Sequence, residues 1–190
     1  MHPGDGCIFY TDQEIIKETQ NLFMEKGSQL RKGREIIGLP VISLAAGKEI
    51  GVVDDILWSH PDLKISCLVV SDHFLSFSDI SGMGSDAVTV SGQDVLKDCW
   101  EQSELRSVNQ TGGELVLTRQ GENLGTLKDV IFDSDNGQLL GYELSAGVVG
   151  DLLSGRMIMS PEMVHSWGNE AIIAGFSGSD RGDQNAVSDM

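Results

Sequence analysis

The chain has 190 residues, of which 40% are apolar and 22% charged, values typical of a soluble globular protein and not of a disordered, collagen-like or coiled-coil chain. This length accommodates one or two compact units. Asp and Glu number 29 against 13 Lys and Arg, so the net charge is −16, which repels phosphate backbones and anionic membrane surfaces. We therefore expect no direct nucleic-acid partner.

Targeting signals and cysteines narrow the expected location. Residues 1–10 lack the basic and apolar regions of a secretion signal. The most apolar stretch, residues 36–46, is far shorter than the roughly 20 residues that span a bilayer. The three cysteines, Cys7, Cys67 and Cys99, contain no CxxC pair, which predicts neither disulfides nor a zinc site. We expect a cytoplasmic protein without membrane insertion.

The predicted elements begin with a helix. Apolar residues at helical spacing over residues 11–26, followed by Gly27, predict an amphipathic helix, so residues 1–29 are expected to form an N-terminal helical segment. Residues 30–92 then contain short β-branched runs separated by Gly, Pro, Asp or Ser. That pattern is typical of an all-β unit.

A connector and a second β unit follow. Apolar residues up to Trp100 stand at helical spacing, which predicts a helical connector over residues 93–112. Residues 113–175 again show short strands separated by turn residues. Residues 176–190 are rich in Ser, Gly and Asp and have little to bury, which predicts a disordered tail.

The two β units are copies of one pattern. Residues 47–71 align without a gap with residues 121–145, at an offset of 74. The matched positions are glycines, an aspartate and apolar residues, among them Gly47 with Gly121, Gly51 with Gly125, Asp55 with Asp129, and Trp58 with Phe132. The similarity resumes at an offset of 84, where residues 80–90 align with residues 164–174. The extra length in the second copy predicts a longer loop near residues 147–156.

One motif recurs in both copies: an apolar strand, then Gly-x-x-[IL]-Gly-x-[VL]-x-Asp-[IV], a turn, a second apolar pair, and a final Gly-[SN]-[DE]-Ala-[VI]. This motif resembles the PRC-barrel family, over about residues 30–92 and 114–175. The family includes the cytoplasmic domain of the photosynthetic reaction-centre H subunit and the C-terminal domain of a ribosome-maturation factor. The resemblance implies a small β-barrel that is used as a docking module.

We therefore expect a mostly β protein made of two tandem small PRC-type β-barrels, each closed or nearly closed, with short flanking and connecting helices. Such small barrels bury modest cores, so a contact between them or self-association into a homo-oligomer is expected to add stability. Trp100 and Trp167 are the candidate interaction or junction residues, because docking modules expose apolar side chains. Trp58 and Phe132 lie in strand runs and are predicted to be core.

Signals for chemistry are thin. The histidines are scattered, and the sequence has neither a nucleophile elbow nor a phosphate loop, so we expect no catalytic residue, metal or cofactor. Asp55 and Asp129 recur inside apolar runs, which predicts a fold role in accepting backbone N–H bonds. Asp133 and Asp135 before Gly137 predict a solvated hairpin turn and not a calcium loop, with weak ion binding at this turn left open.

These expectations combine into a functional hypothesis. We expect a non-catalytic adaptor or interaction module of a bacterial cytoplasm, which docks a protein partner of unknown identity or small ligands through its PRC-barrels. The alternatives are a ribosome- or RNA-processing-associated factor, or an enzyme with an unrecognised site. Given the acidic charge, a ribosome factor would have to dock on protein. An enzyme would need polar residues that converge on a pocket.

Overall fold

The computed structural model of the chain describes residues 30–100, 104–145 and 157–175. As predicted, this part is mostly β, with short helices. The predicted N-terminal helix, the longer loop of the second copy and the predicted tail lie outside the described residues. The strands are β1 (Leu30–Lys32), β2 (Pro40–Ser43), β3 (Lys48–Ser59), β4 (Lys64–Val70), β5 (His73–Ser76), β6 (Ile80–Met83), β7 (Val88–Val90), β8 (Leu96–Lys97), β9 (Leu105–Ser107), β10 (Leu115–Thr118), β11 (Asn123–Asp133), β12 (Leu139–Ser145), β13 (Met157–Met159), β14 (Val164–Trp167) and β15 (Ala171–Ala174).

These strands form two sheets, one for each copy of the repeat. The sheet of the first copy, unit one, has the order β6-β7-β2-β3-β4-β5-β8, and β9 also pairs with β3. The sheet of the second copy, unit two, has the order β13-β12-β11-β10-β15-β14, and β1 also pairs with β11. In both units the strand that opens the copy pairs in parallel with the strand that closes it, β2 with β7 and β10 with β15. The internal repeat is therefore also a repeat of topology.

Each sheet curls partway round, as the predicted barrels require, and within the described residues its two edge strands do not pair with each other. In unit one the edges are β6 and β8, and in unit two they are β13 and β14. The 3-10 turn Phe77–Asp79 carries the chain away from β5, so that β6 pairs with β7 and not with β5. This leaves a gap in unit one between β6 and the β4–β5 hairpin, which we call the seam.

The two units exchange their leading strands. β1 precedes unit one in the chain but pairs with β11 of unit two, with Arg31 opposite Phe132. β9 precedes unit two but pairs with β3 of unit one, with Arg106 opposite Trp58. β1 therefore belongs to the first copy in sequence but lies in the sheet of unit two. The physical reason is the length of β3 and β11, which run past their hairpin partners and offer a second stretch of unpaired edge.

The predicted helical connector over residues 93–112 is also wrong in the described residues. Its start is the 3-10 turn Gln93–Val95, followed by β8, which pairs with β5 and so extends unit one past the predicted boundary at 92. Its end is β9 and a single helical turn, α2 (Val108–Thr111), which matches the turn α1 (Gly33–Ile36) after β1. Pairing with neighbouring strands uses the backbone groups that a helix would need.

The buried apolar side chains of both units form one continuous cluster. Trp58 and Phe132 are fully buried in it, which confirms their prediction as core. The units also share backbone hydrogen bonds between their β-hairpin turns. Ile65 N donates to Gly137 O and Leu139 N donates to Leu63 O, both at 2.8 Å. The predicted contact between the two barrels is therefore confirmed.

The glycines that align between the two copies lie at equivalent positions in the two sheets, but one aligned pair differs in backbone conformation. Gly47 and Gly121 both have positive φ, 61° and 85°, in the turns that lead into β3 and β11. Gly51 and Gly125 share a register, opposite Val41 and Val116. Only Gly125 of this pair has a positive φ, 122°. The predicted equivalence of Gly51 and Gly125 therefore holds for strand pairing but not for backbone conformation.

Candidate functional site

A polar cleft opens at the seam of unit one. It has a volume of about 570 Å³ and is walled by the start of β4, the 3-10 turn after β5, strand β6, and the β11–β12 turn of unit two. We call it the serine cleft, and its lining includes Lys64, Ser66, Phe77, Ser81, Met83 and Ser134. This volume lies within the range of ligand-binding clefts. Because unit two supplies one wall, the cleft exists only when the two units are docked.

Strand β6 gives the cleft an unusual wall. One side of β6 pairs with β7, with Ile80 opposite Val90 and Met83 opposite Val88. Its other side has no partner strand within the described part of the chain. All four β6 residues line the cleft, and Ser81 at its middle is exposed. An unpaired strand edge presents backbone N–H and C=O groups that can pair with another extended chain.

Hydroxyl groups dominate the polar lining. Ser76 and Ser78 form a hydroxyl–hydroxyl hydrogen bond of 2.8 Å, and Ser66, Ser81 and Ser134 add three more side chains of the same kind. A hydroxyl both donates and accepts, so such a wall accommodates the backbone and polar side chains of many ligands. The ionisable lining residues are one cation and one anion, Lys64 and Asp135.

A cluster of aromatic rings joins the two units on the side of unit two. We call it the junction cluster, and it consists of Trp58, His60, Tyr142 and Trp167. The Trp167 centroid lies 5.1 Å from that of Trp58, 5.4 Å from that of His60 and 5.6 Å from that of Tyr142. His60 Nδ1 and the Tyr142 hydroxyl are 2.9 Å apart, a hydrogen bond between the two units. These are the tilted and edge-to-face arrangements that aromatic pairs favour.

Charged groups flank the junction cluster, and burial is the main cause of the pKa shifts of its His60 and Tyr142. The guanidinium of Arg106 lies 4.1 Å from the centre of the Trp167 ring, and Trp167 Nε1 donates to Glu114 at 2.6 Å. Burial, followed by the positive charge of Arg106, lowers the pKa of His60. Burial raises the pKa of Tyr142. The cluster is therefore built for a neutral imidazole beside a neutral phenol.

The two tryptophans predicted as interaction or junction residues have different places. Trp167 belongs to the junction cluster and contacts both units. Trp100 lies in the loop after β8, where its ring is 6.4 Å from Phe74 and the Lys97 ammonium is 5.9 Å from its centroid. Both described contacts of Trp100 are within unit one. The structure thus places Trp167, and not Trp100, in the aromatic contact between the units.

Asp55 and Asp129 have the repeated fold role that the sequence predicts. Asp129 accepts the backbone N–H of Arg34 and of Val130. Asp55 accepts the backbone N–H of Asn109 and of Ile56, and also the Ser107 hydroxyl. In each case the carboxylate holds the first residues of a helical turn that belongs to the exchanged segment. The two aspartates are therefore structural and lie outside the serine cleft.

The predicted solvated turn after β11 is only partly solvated. Asp135 is exposed, but Asp133 and Gly137 are buried. Asp135 N donates to Asp133 Oδ1 at 2.9 Å, which closes the turn, and Gly137 lies against the Phe77 ring of unit one. The turn packs on unit one because its backbone also pairs with residues 63–65. It forms a wall of the serine cleft.

The remaining titratable groups are dispersed. His73 lies 3.4 Å from Asp98 on unit one, and His165 contacts Arg119 on unit two. Burial raises the pKa of the Cys67 thiol to about 12, so this cysteine is inert, whereas Cys99 is exposed. Within the described residues no group of three or more His, Cys, Asp or Glu side chains is placed to hold a metal ion.

Sequence reasoning missed the serine cleft. Its serines come from separate elements and share no motif, so only the fold brings them together. It also missed the strand exchange, for which a signal existed. The pair Leu30-Arg31 recurs as Leu105-Arg106 at an offset of 75, close to the offset of 74 for the repeat that follows. Because these two offsets are almost equal, the repeat includes the strand that precedes each β unit.

Together, the fold and the cleft define a tandem pair of half-closed β-barrels with an edge-strand cleft between them. Comparison with known proteins agrees. The PRC-barrel domain model matches residues 29–96 and 107–176, and the chain belongs to the PRC-barrel family. A similar protein is the uncharacterized protein YrrD of Bacillus subtilis (strain 168), 31% identical over 142 residues, which cover 67% of this chain and 76% of that protein. No helix among the described residues is long and apolar enough to cross a bilayer.

Proposed function

We propose that this protein is a non-catalytic interaction module that binds an extended segment of a partner protein in the serine cleft. The observation that carries this proposal is the unpaired edge of β6 along a cleft of about 570 Å³. Addition of a strand to an exposed sheet edge is a recurring mode of peptide recognition, in which backbone hydrogen bonds give affinity and side-chain pockets give specificity. The cleft supplies both kinds of contact.

The lining supports binding over catalysis. Its serines have no histidine among the residues that line the cleft, and Lys64 and Asp135 are its ionisable groups. A serine nucleophile needs an adjacent base to be activated. The Ser76 and Ser78 hydroxyls bond to each other, an arrangement suited to hydrogen bonding of a ligand. For this reason we favour an interaction module over an enzyme with an unrecognised site.

The partner is proposed to be a different protein. A second copy of the chain would carry the same net charge of −16 and would be repelled. Nucleic acid is also negatively charged and would be repelled in the same way. The relative from Bacillus subtilis supports a bacterial setting, and we propose a cytoplasmic location from the cysteine usage. A ribosome-associated role remains the alternative, through contact with a ribosomal or processing protein.

The test is a selection of linear peptides on the whole chain, followed by binding to two matched variants. Ser81→Tyr places a bulky side chain on the exposed middle of β6, whereas Ser91→Tyr places the same side chain on an exposed serine that does not line the cleft. We expect the selected peptides to bind the wild type and Ser91→Tyr equally and to lose at least tenfold in affinity for Ser81→Tyr. Bound peptide should also slow amide exchange in Ile80–Met83.

Two outcomes would refute the proposal. One is a selection that enriches no peptide. The other is a set of peptides that bind Ser81→Tyr as tightly as the wild type and leave the amide exchange of β6 unchanged. Thermal melting of both tyrosine variants controls for misfolding, because a variant that melts with the wild type has kept its fold.

A further inference from the structure

The internal repeat allows the serine cleft at the seam of unit one to be compared with the equivalent place in unit two. β6 and β14 follow a 3-10 turn in their units and pair antiparallel with β7 and β15. The alignment at an offset of 84 puts Trp167 at the place of Met83, and the alignment at 74 puts His60 at the place of Ser134. The serine cleft and the Trp167 side of the junction cluster are thus equivalent places in the two copies.

In unit two this place is filled from within the chain. The Trp167 ring packs against Trp58, His60 and Tyr142 at centroid distances of 5.1 to 5.6 Å. Its indole N–H is satisfied by Glu114, and the Arg106 guanidinium covers one face of the ring. The strand edge of β14 therefore carries its own aromatic anchor.

At the serine cleft the corresponding side chains, two from each unit, are smaller. In the alignment of the two copies, these residues correspond to junction-cluster residues as follows: Phe132 to Trp58, Ser134 to His60, Leu68 to Tyr142, and Met83 to Trp167. Each replacement removes ring volume, and at this place the structure has an open cleft of about 570 Å³. Phe77, which lines it, packs edge to face on Phe132 with the centroids 6.4 Å apart, and Met83 adds a thioether, which also favours contact with aromatic rings.

An arginine is also left without its aromatic partner. Arg31 is the counterpart of Arg106, since it faces Phe132 across the sheet as Arg106 faces Trp58. Arg106 stacks on Trp167, whereas the Nε atom of Arg31 is buried and has no hydrogen-bond partner in the described part of the chain. A guanidinium that stacks on an aromatic face is a favourable cation–π contact.

From this comparison we infer that the partner segment carries an aromatic side chain, which enters the serine cleft at the place that Trp167 fills in unit two. The inference rests on the proposed function and names the chemistry of the partner. The added strand pairs with the edge of β6, and its ring packs on Phe77 and Met83. An aromatic anchor buries roughly 150 to 250 Å² and dominates the binding energy of many interfaces.

The first experiment uses the peptides that the selection yields. We expect each to contain Trp, Tyr or Phe, and replacement of that residue by Ala should weaken binding by about 30-fold or more. The variant Met83→Trp with Ser134→His rebuilds, at the serine cleft, the Trp167 and His60 side chains of the junction cluster. It should fold, as shown by an unchanged melting transition, and should no longer bind the peptides.

A second measurement needs no selected peptide. N-acetyl-tryptophanamide, added to the isotope-labelled chain, should shift the amide signals of Ile80–Met83, while N-acetyl-leucinamide at the same concentration should not. Peptides that Ser81→Tyr blocks but that need no aromatic residue would overturn this inference and leave the proposed function standing. Equal effects of the two amides would also count against it.

Discussion

Asp129 accepts the backbone N–H of Arg34 with both carboxylate oxygens at 3.2 Å, although 95 positions separate the two residues. The same arrangement joins Asp55 to Asn109, 54 positions apart, at 3.2 Å. Each aspartate therefore holds the exchanged segment of the other copy. The recurrence of this aspartate in both copies is explained by the contact between the copies and not by either copy alone.

Replacement of Asp129 by Ala should destabilise the whole protein by about 2 kcal/mol, because it leaves buried N–H groups without acceptors. The loss should appear in urea unfolding as a lower midpoint with an unchanged slope. Asp86→Ala is the matched control, at an exposed loop position whose described side-chain hydrogen bond is to its neighbour Ser85, and should change stability by less than about 0.5 kcal/mol. Equal midpoints for the two variants would contradict the role of Asp129.

The exchanged helical turns also touch each other. A Cβ on Gly33 would lie 2.9 Å from Val108 Cγ2 and 3.0 Å from Asp129 Oδ1, so Gly33→Ala forces the two segments apart. We expect a destabilisation of about 1 to 3 kcal/mol from this overpacking. Gly84→Ala is the control, since its Cβ would meet atoms only at ordinary contact distances of 3.4 Å and beyond. If both variants melt at the wild-type temperature, the close contact at Gly33 does not matter for stability.

The junction between the units should weaken in mild acid. Burial and Arg106 lower the pKa of His60 below its ordinary 6.5 in the folded state, so the neutral imidazole contributes stability that is present above this value and is lost as the pH falls through the folded pKa. His60→Gln, which retains a side chain able to hydrogen-bond to Tyr142, should remove that dependence. Urea unfolding at a series of pH values from about 7.5 to about 5 is the measurement. An identical pH dependence in the variant would exclude His60 as its source.

The two tryptophans predicted from sequence should respond differently to truncation. Trp167→Ala removes ring contacts with both units and should cost about 3 kcal/mol. Trp100→Ala removes the described contacts with Phe74 and Lys97, both within unit one, and should cost about 1 kcal/mol. Thermal melting of both variants, beside a peptide-binding assay, distinguishes a junction residue from a docking residue. A larger loss for Trp100→Ala than for Trp167→Ala would reverse the assignment.

Much of the fold was predictable because its signals are local and repeated. Strand runs, turn glycines and the recurring motif predicted two β units and a core that includes Trp58 and Phe132. The role of Asp55 and Asp129 followed from their position in both copies. The sequence signals of these features lie in short segments that recur along the chain, even where, as for Asp129, the contact itself joins distant residues.

The remainder depends on contacts between distant residues. The segment up to Trp100 has helical spacing, but β5 offers a free edge that takes Leu96 and Lys97 as a strand, which is a tertiary effect that overrides local preference. The serine cleft combines side chains of both units, for example Ser81 and Ser134. No periodicity in the sequence brings those two residues together.

The exchange of leading strands has a consequence for synthesis on the ribosome. β1 emerges early, yet its partner is β11, so Leu30–Lys32 cannot enter a sheet until residues 131–133 have left the exit tunnel. β1 must therefore wait for unit two, unlike strands of domains that fold in order as they are translated. A nascent chain held on a ribosome stalled after residue 100 should still be sensitive to proteases. A chain that extends past residue 175 and has been released from the ribosome should be protected.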